Sequence, residues 1–177
     1  MHTGQRARRK SEASVNEERL YNKYYETPSG SREEFFLRLD ASYPWLPPKT
    51  KEEFLDAGDA ALVVNLRTSF IGSHSPPGHI DFYANGGLSQ PGCQKWYYPY
   101  TAQQVCNHFR AVALMIEAVK HARDRVFPAC GCPDWNTFQD NTCDCHNVNN
   151  FGLYPNTSAL GKFYFSTNSE PLYSRPL

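Results

Sequence analysis

The stretch GHIDFYANGGLSQPGC, residues 78–93, constrains the fold of this chain more than any other segment. Ile80 and Phe82 alternate with polar neighbours, which predicts a β-strand with one apolar face. Asn85-Gly86-Gly87 follows, and these residue types accept the positive φ of a sharp turn at low cost. Cys93 closes the stretch, and a second cysteine and a histidine follow in Cys106-Asn107-His108. The pattern predicts a strand, a tight turn and a loop flanked by two cysteines.

Apolar runs elsewhere predict the other elements of an α/β domain. Strands are expected at residues 35–39, 60–66 and 162–167, and the second is apolar on both faces, as in the interior of a parallel sheet. Between Cys106 and Arg125 the spacing predicts an amphipathic helix that packs on the sheet. The apolar face of this helix would consist of Phe109, Val112, Ile116 and Val119. Residues 1–34 are rich in charge and predict a disordered extension.

Composition excludes several classes of partner. The 177 residues carry 18 basic and 18 acidic side chains, so neither nucleic acid nor an anionic membrane is expected as the main partner. No apolar run approaches the roughly 20 residues of a transmembrane helix, and no apolar segment of a secretory signal is visible. Six cysteines and the sequon Asn156-Thr157-Ser158 nevertheless favour a secreted, N-glycosylated protein. Features of a secreted protein without a visible secretory signal predict that an N-terminal segment is missing.

Three strings together resemble the pancreatic lipase family of α/β-hydrolases. They are residues 78–87, Gln90-Pro91-Gly92-Cys93 and Cys106-Asn107-His108-Phe109-Arg110, and residues 161–168 are similar to the last strand of that family's catalytic domain. The resemblance implies an α/β-hydrolase fold, of which residues 35–177 would form only the C-terminal half. The half that carries the nucleophile would be absent.

The resemblance implies that His108 is the catalytic base. A histidine held at the start of a helix by a neighbouring disulfide can take a proton from a serine and return it to a leaving alcohol. Asp40, in Leu39-Asp40-Ala41, stands where the family has a Leu-Asp-Pro-Ala string, and would orient His108. The alternatives are a histidine that only packs at a helix N-terminus and an aspartate that only caps a turn.

A serine nucleophile is not recognisable in the sequence. No Gly-x-Ser-x-Gly elbow occurs among the 177 residues, and an acid and a base without nucleophile or oxyanion hole give no acyl-enzyme chemistry. The leading hypothesis is a fragment of a hydrolase of lipid carboxylic esters, inactive as this chain and with no cofactor for the chemistry. The substrate would be a triglyceride or, given the short loops, an sn-1 phospholipid. The alternative is a non-enzymatic lipase-like protein that binds lipid or a partner.

The resemblance also implies a Cys93–Cys106 disulfide at the base of a short lid. Its aromatic residues would contact a lipid–water interface or, alternatively, pack on the protein's own core: Trp96, Tyr97, Tyr98 and Tyr100. The remaining cysteines are expected to form two structural disulfides of open pairing rather than a zinc site: Cys130, Cys132, Cys143 and Cys145.

Asp56 and Asp59 lie in a segment that is similar to the two-aspartate segment holding a structural calcium ion in some family members. Carboxylates at this spacing can supply hard oxygen ligands, although a calcium-free turn is the preferred interpretation. Arg67-Thr68 departs from the family, which usually has a histidine–threonine pair at this place.

Overall fold

Six β-strands form one mixed sheet in the computed structural model, which describes residues 35–41, 56–72, 76–97, 99–124, 127–143 and 145–177. The strands are β1 (Phe35–Leu39), β2 (Leu62–Arg67), β3 (Ile80–Ala84), β4 (Pro128–Gly131), β5 (Val148–Asn150) and β6 (Gly161–Phe165). Their order is β1-β2-β3-β6-β4-β5, and the first four in this order are parallel. β4 runs antiparallel to β5 and β6. The helices are α1 (Tyr100–Lys120) and α2 (Trp135–Gln139), and the whole is an α/β-type fold.

The long apolar runs predicted the strands well. Each of the four expected strands exists, with its ends shifted by at most two residues. β4, β5 and α2 were not predicted, because they are short and lie in the cysteine-rich segment. Asp134 accepts a hydrogen bond from the Thr137 N–H at the start of α2, and this bond lowers the pKa of the Asp134 carboxyl group. The predicted extension, residues 1–34, lies outside the described residues.

One face of the sheet forms the hydrophobic core. Register pairs Leu66 with Phe82 and Phe82 with Phe163, so large apolar side chains stand side by side on neighbouring strands. Phe127 and Phe151 close the same cluster and are fully buried. α1 covers this face through Ala111, Leu114 and Ala118.

α1 buries the face opposite to the one predicted. The four residues of the predicted apolar face are 44–63 % exposed: Phe109, Val112, Ile116 and Val119. The buried face instead contains two charged side chains, Arg110 and Glu117, and both form hydrogen bonds with backbone groups. Arg110 donates to the carbonyl oxygens of Pro91 and Ser169, and Glu117 accepts from the backbone N–H groups of residues 173 and 174. Periodicity identified the apolar stripe correctly, but the partners that decide which face is buried lie far away in sequence.

The other face of the sheet carries a buried polar network. Asn65 and Asp81 are register partners on β2 and β3, and Asn65 donates to Asp81 over 2.6 Å. Arg67 forms an ion pair with Asp81 at 2.9 Å, and both side chains are 5 % exposed. Arg67 also donates to the carbonyl oxygen of Gly72, and thereby holds the loop after β2. Burial raises the pKa of Tyr164, on the same face, to about 12.

Asp81→Asn should lower the free energy of unfolding by about 3 kcal/mol, because it leaves the buried Arg67 cation without its counter-charge. Urea unfolding of the wild-type and variant chains measures the difference. Asp124→Asn is the matched control, since Asp124 forms an ion pair with His121 but is 69 % exposed. Equal losses in the two variants would contradict this role of the buried pair.

Candidate active site

Asp40 lies directly after the last residue of β1 and is 1 % exposed. Its backbone has φ 48°, a left-handed conformation that aspartate tolerates better than most residues. The Asp40 N–H donates to the carbonyl oxygen of Leu66 over 2.7 Å, so the ladder between β1 and β2 extends to this residue. The turn at the strand end therefore directs the carboxylate toward the loop after β2.

The Asp40 carboxylate accepts hydrogen bonds at both oxygens. Oδ1 accepts from the backbone N–H groups of Thr68, at 2.7 Å, and Ser69, at 3.0 Å. Oδ2 accepts from the Ser69 hydroxyl group and lies 2.8 Å from Nδ1 of His108. Gly72 makes room for this arrangement, because a Cβ at that position would lie 2.3 Å from Oδ1. Four partners thus fix the orientation of one buried charge.

His108 meets Asp40 from α1, and its side chain is 30 % exposed. An ionised carboxylate only accepts, so it selects the tautomer in which Nδ1 carries the proton and Nε2 is an acceptor. The expectation that His108 stands at a helix start was wrong. α1 begins at Tyr100, about two turns earlier, and Pro99 occupies the N-cap. Residues 101–105 have no apolar periodicity, and the start was therefore missed.

The Cys93–Cys106 disulfide that the resemblance implies is present, with a Cα–Cα distance of 5.6 Å. It joins the loop after β3 to α1 two residues before His108. Because α1 already begins at Tyr100, residues 100–105 between the two cysteines are helical and do not belong to a loop. Trp96 is 94 % exposed, and Tyr97 and Tyr100 are also exposed, whereas Tyr98 lies outside the described residues.

A buried glutamine connects the loop that binds Asp40 to the helix that carries His108. Gln90 is 1 % exposed, and its side-chain amide donates to the carbonyl oxygens of Thr68 and Ala84. Its backbone N–H donates to Oδ1 of Asn107, the residue before His108. Asn85 donates to the Gln90 side-chain oxygen and to the hydroxyl group of Thr167. The network positions α1 relative to the loop that binds Asp40.

Gln90→Ala should destabilise the chain by about 2 kcal/mol, since it leaves buried acceptors on Thr68 and Ala84 unpaired. It should also speed the solvent exchange of the His108 Nδ1 proton, because the helix and the acid loop lose their common partner. Urea unfolding and proton NMR measure the two effects. Gln94→Ala, an exposed glutamine in the same loop, should change neither. An unchanged exchange rate in Gln90→Ala would contradict the positioning role.

Sequence reasoning identified Asp40 and His108 but missed the residues that hold them. Thr68, Ser69, Gln90 and Asn107 contact the pair directly or through one residue. Gln90 and Asn107 do lie within the strings that carry the family resemblance, which was a usable signal. Thr68 and Ser69 act largely through backbone N–H groups, which leave no signature in side-chain identity.

The other four cysteines form two nested disulfides, Cys130–Cys145 and Cys132–Cys143. They tie β4 to the loop that follows α2. Within the described part of the chain, no group of three or more His, Cys, Asp and Glu side chains could hold a metal ion.

The carboxylates of Asp56 and Asp59 serve the turn in which they lie. Oδ1 of Asp56 accepts from the Gly58 N–H, and Oδ2 of Asp59 accepts from the Asp56 N–H, each over 2.6 Å. A calcium ion requires six to eight oxygen ligands, and the described residues add no third acidic group beside these two. The geometry observed is that of a hydrogen-bonded turn, and a calcium ion at these residues stays a prediction.

The sequon lies on the surface. Asn156, Thr157 and Ser158 are all exposed, and the Asn156 side-chain oxygen accepts from the Ser158 N–H over 3.1 Å. The buried Asn149 side chain donates to the Asn156 carbonyl oxygen and accepts from the Asn156 N–H, which fixes the backbone of Asn156. The Asn156 side chain is therefore accessible on an ordered turn.

Comparison with known proteins decides the family. A profile of the Lipase family matches residues 37–173. The chain belongs to the Lipase family. It is 37 % identical over 113 residues to phospholipase A1 member A of Homo sapiens and 36 % identical over 117 residues to lipase member H of Danio rerio. These matches cover 62 % and 64 % of this chain. The resemblance to the pancreatic lipase family is thus confirmed.

The chain spans only about a quarter of the relatives it matches: 24 % of the human protein and 25 % of the zebrafish one. Among the described residues, no helix is both long and apolar enough to cross a membrane.

Proposed function

We propose that this chain carries the acid and base of a serine hydrolase of lipid carboxylic esters, Asp40 and His108. The observation that supports the proposal is the 2.8 Å contact between His108 Nδ1 and Asp40 Oδ2, with the carboxylate buried and the imidazole partly open. Nδ1 of the histidine is engaged by the carboxylate, which leaves Nε2 for the reacting hydroxyl group.

The chemistry assigned to the pair is proton transfer. Nε2 of His108 takes the proton of a serine hydroxyl group while the serine oxygen attacks the ester carbonyl carbon. Asp40 stabilises the imidazolium cation that forms. His108 then donates this proton to the oxygen of the leaving alcohol, and the same cycle with water releases the fatty acid from the serine ester. Because the 177 residues contain no Gly-x-Ser-x-Gly string, we propose that they do not complete this cycle alone.

The substrate class we propose is a phospholipid cleaved at the sn-1 ester. The human and zebrafish relatives are phospholipase A1 member A and lipase member H. The short loop between Cys93 and α1 leaves little chain to cover the site, which suits a bulky headgroup better than a long lid would. Triglyceride is the second substrate to test.

A lipase-like protein that binds lipid without hydrolysing it is the second candidate function. The missing serine elbow favours it, and so do the exposed aromatic residues Trp96, Tyr97 and Tyr100. The two functions differ in whether the native coding sequence contributes a nucleophile.

His108→Ala in the protein encoded by the full native transcript should reduce phosphatidylcholine hydrolysis at least about 10³-fold, because the base is lost. His121→Ala is the control, since His121 is the C-cap residue of α1 and pairs with Asp124. Full activity of His108→Ala would contradict the assignment. A transcript that encodes the 177 residues alone, with no hydrolysis and no labelling by a fluorophosphonate, would support the binding function instead.

We also propose that the protein is secreted and carries a glycan on Asn156. Expression in a eukaryotic secretory host should give a form whose mobility increases after enzymatic deglycosylation, and Asn156→Gln should remove that shift. Asn149→Gln is not an equivalent control, because Asn149 is buried and bonded to the turn. Asn168→Gln, an exposed asparagine outside any sequon, is the control, and persistence of the shift in Asn156→Gln would contradict the proposal.

A further inference from the structure

An open groove of about 600 Å³ lies beside β5, which is the outermost strand on its side of the sheet. Val148 and Leu177 line this groove, and they are 46 % and 54 % exposed. Tyr154 also lines it, and none of the described lining residues has a charged side chain. Clefts of about 300–1,000 Å³ with apolar and aromatic walls and a few polar groups are typical of small-molecule sites. The lining therefore suits an uncharged ligand.

The sequon forms part of the groove. Asn156, Thr157 and Ser158 are exposed and belong to its lining. Oδ1 of Asn156 accepts the hydrogen bond from the Ser158 N–H, so a sugar attached at Nδ2 leaves this bond intact. The covalent bond would hold the first sugar beside the groove at a high effective concentration, which a free ligand lacks.

The buried Asn149 side chain holds the sequon turn against β5. Its Nδ2 donates to the carbonyl oxygens of Asn156 and Ala159, and its Oδ1 accepts from the N–H groups of Asn150 and Asn156. All four hydrogen-bonding positions of the amide are therefore used. The turn and the strand that form the groove are thus fixed before any ligand binds. Because Asn149 occupies the Asn150 N–H, a further strand would gain fewer hydrogen bonds by pairing with β5.

We propose that the groove binds the first N-acetylglucosamine of a glycan on Asn156. The inference rests on the proposed glycosylation and adds a position for the sugar, which packs against β5 rather than extending into solvent. The sugar ring covers the exposed side chain of Val148, and its polar groups form hydrogen bonds with amide and hydroxyl groups of the lining. β5 is an edge strand, and a bulky group beside such a strand also hinders its pairing with another chain.

Thermal unfolding tests whether the sugar packs on the protein. The 177-residue chain is expressed behind a secretion leader in a host that attaches high-mannose glycans, and an endoglycosidase trims each glycan to one N-acetylglucosamine. Ser158→Ala removes the sequon but keeps Asn156 and the N–H of residue 158. The trimmed wild-type chain should have a Tm at least about 2 °C above that of Ser158→Ala, because only its groove is covered. Ser158→Thr retains the sequon, and after trimming its Tm should match the wild type.

Nuclear Overhauser effects locate the sugar directly. In the trimmed chain, protons of the N-acetylglucosamine should show such effects to the methyl groups of Val148. Val148→Thr replaces one methyl group by a hydroxyl group, so the Tm difference between the trimmed form and its Ser158→Ala counterpart should become smaller. Both forms carry the same change at residue 148, and its effect on the rest of the chain cancels in the comparison.

A relocated sequon separates the position of the sugar from a general effect of glycosylation. Asp140→Asn, made in the Ser158→Ala background, creates a sequon at residues 140–142, which are exposed at the end of α2. A trimmed sugar there should leave the Tm within about 1 °C of Ser158→Ala, because it has no groove beside β5 to cover.

Several results would overturn the inference and leave glycosylation itself intact: an equal Tm of the trimmed wild type and Ser158→Ala, no Overhauser effect between sugar and Val148, or equal stabilisation by the relocated sugar. A chain whose mobility does not change on deglycosylation would reject the proposed glycosylation and the inference together. Analytical ultracentrifugation tests a second copy as the occupant. A dimer of the glycosylated chain that Val148→Lys abolishes would assign the groove to self-association and contradict the inference.

Discussion

The buried carboxylate of Asp40 is the constraint on which the rest of the site depends. A carboxylate removed from water costs several kcal/mol unless charge and hydrogen bonds compensate it. Here the compensation comes from two separate parts of the chain, the loop after β2 and α1. Displacement of either part removes hydrogen bonds from the buried carboxylate. The cost of burying Asp40 is therefore also what fixes His108 in place.

Polar groups do most of the positioning around the pair. Arg67, which forms an ion pair with Asp81, donates to the Gly72 carbonyl oxygen and so holds the loop after β2. Gln90 joins this loop to α1. The Cys93–Cys106 disulfide adds a covalent tie beside the same helix. The apolar core on the opposite face of the sheet supplies stability, whereas these directional contacts determine the geometry. Arg67, which departs from the family's usual histidine, donates four hydrogen bonds to three residues here, namely Asp81, Gly72 and Pro76.

Local sequence patterns predicted the strands but not the packing of the helix. A run such as Leu62–Arg67 is apolar enough to predict a buried strand by itself, and the positions of Ile80 and Phe82 predicted the core face of β3. α1 shows the limit of such reasoning. Its apolar stripe has perfect helical spacing, yet the buried side is the one with Arg110 and Glu117, because residues 169–174 at the far end of the chain pair with these charges.

The candidate site was predictable only as two separate residues. Strings around Asp40 and His108 identified them through the family resemblance, but the two lie 68 residues apart, and no local pattern joins them. The loop that binds Asp40 contributes backbone N–H groups, whose position depends on the fold rather than on side-chain identity. The disulfide pairing among Cys130, Cys132, Cys143 and Cys145 was open for the same reason, since it depends on how β4 and the following loop meet.

The tautomer of His108 tests the central claim most directly. Two-bond ¹⁵N–¹H correlation spectra of the labelled 177-residue chain at neutral pH report which ring nitrogen carries the proton. In the neutral form of the ring, the His108–Asp40 contact predicts a proton on Nδ1, with Nε2 as the acceptor, and loss of this preference in Asp40→Ala. A ring protonated at Nε2, or one that averages both tautomers as an exposed histidine does, would contradict the proposed acid–base pair.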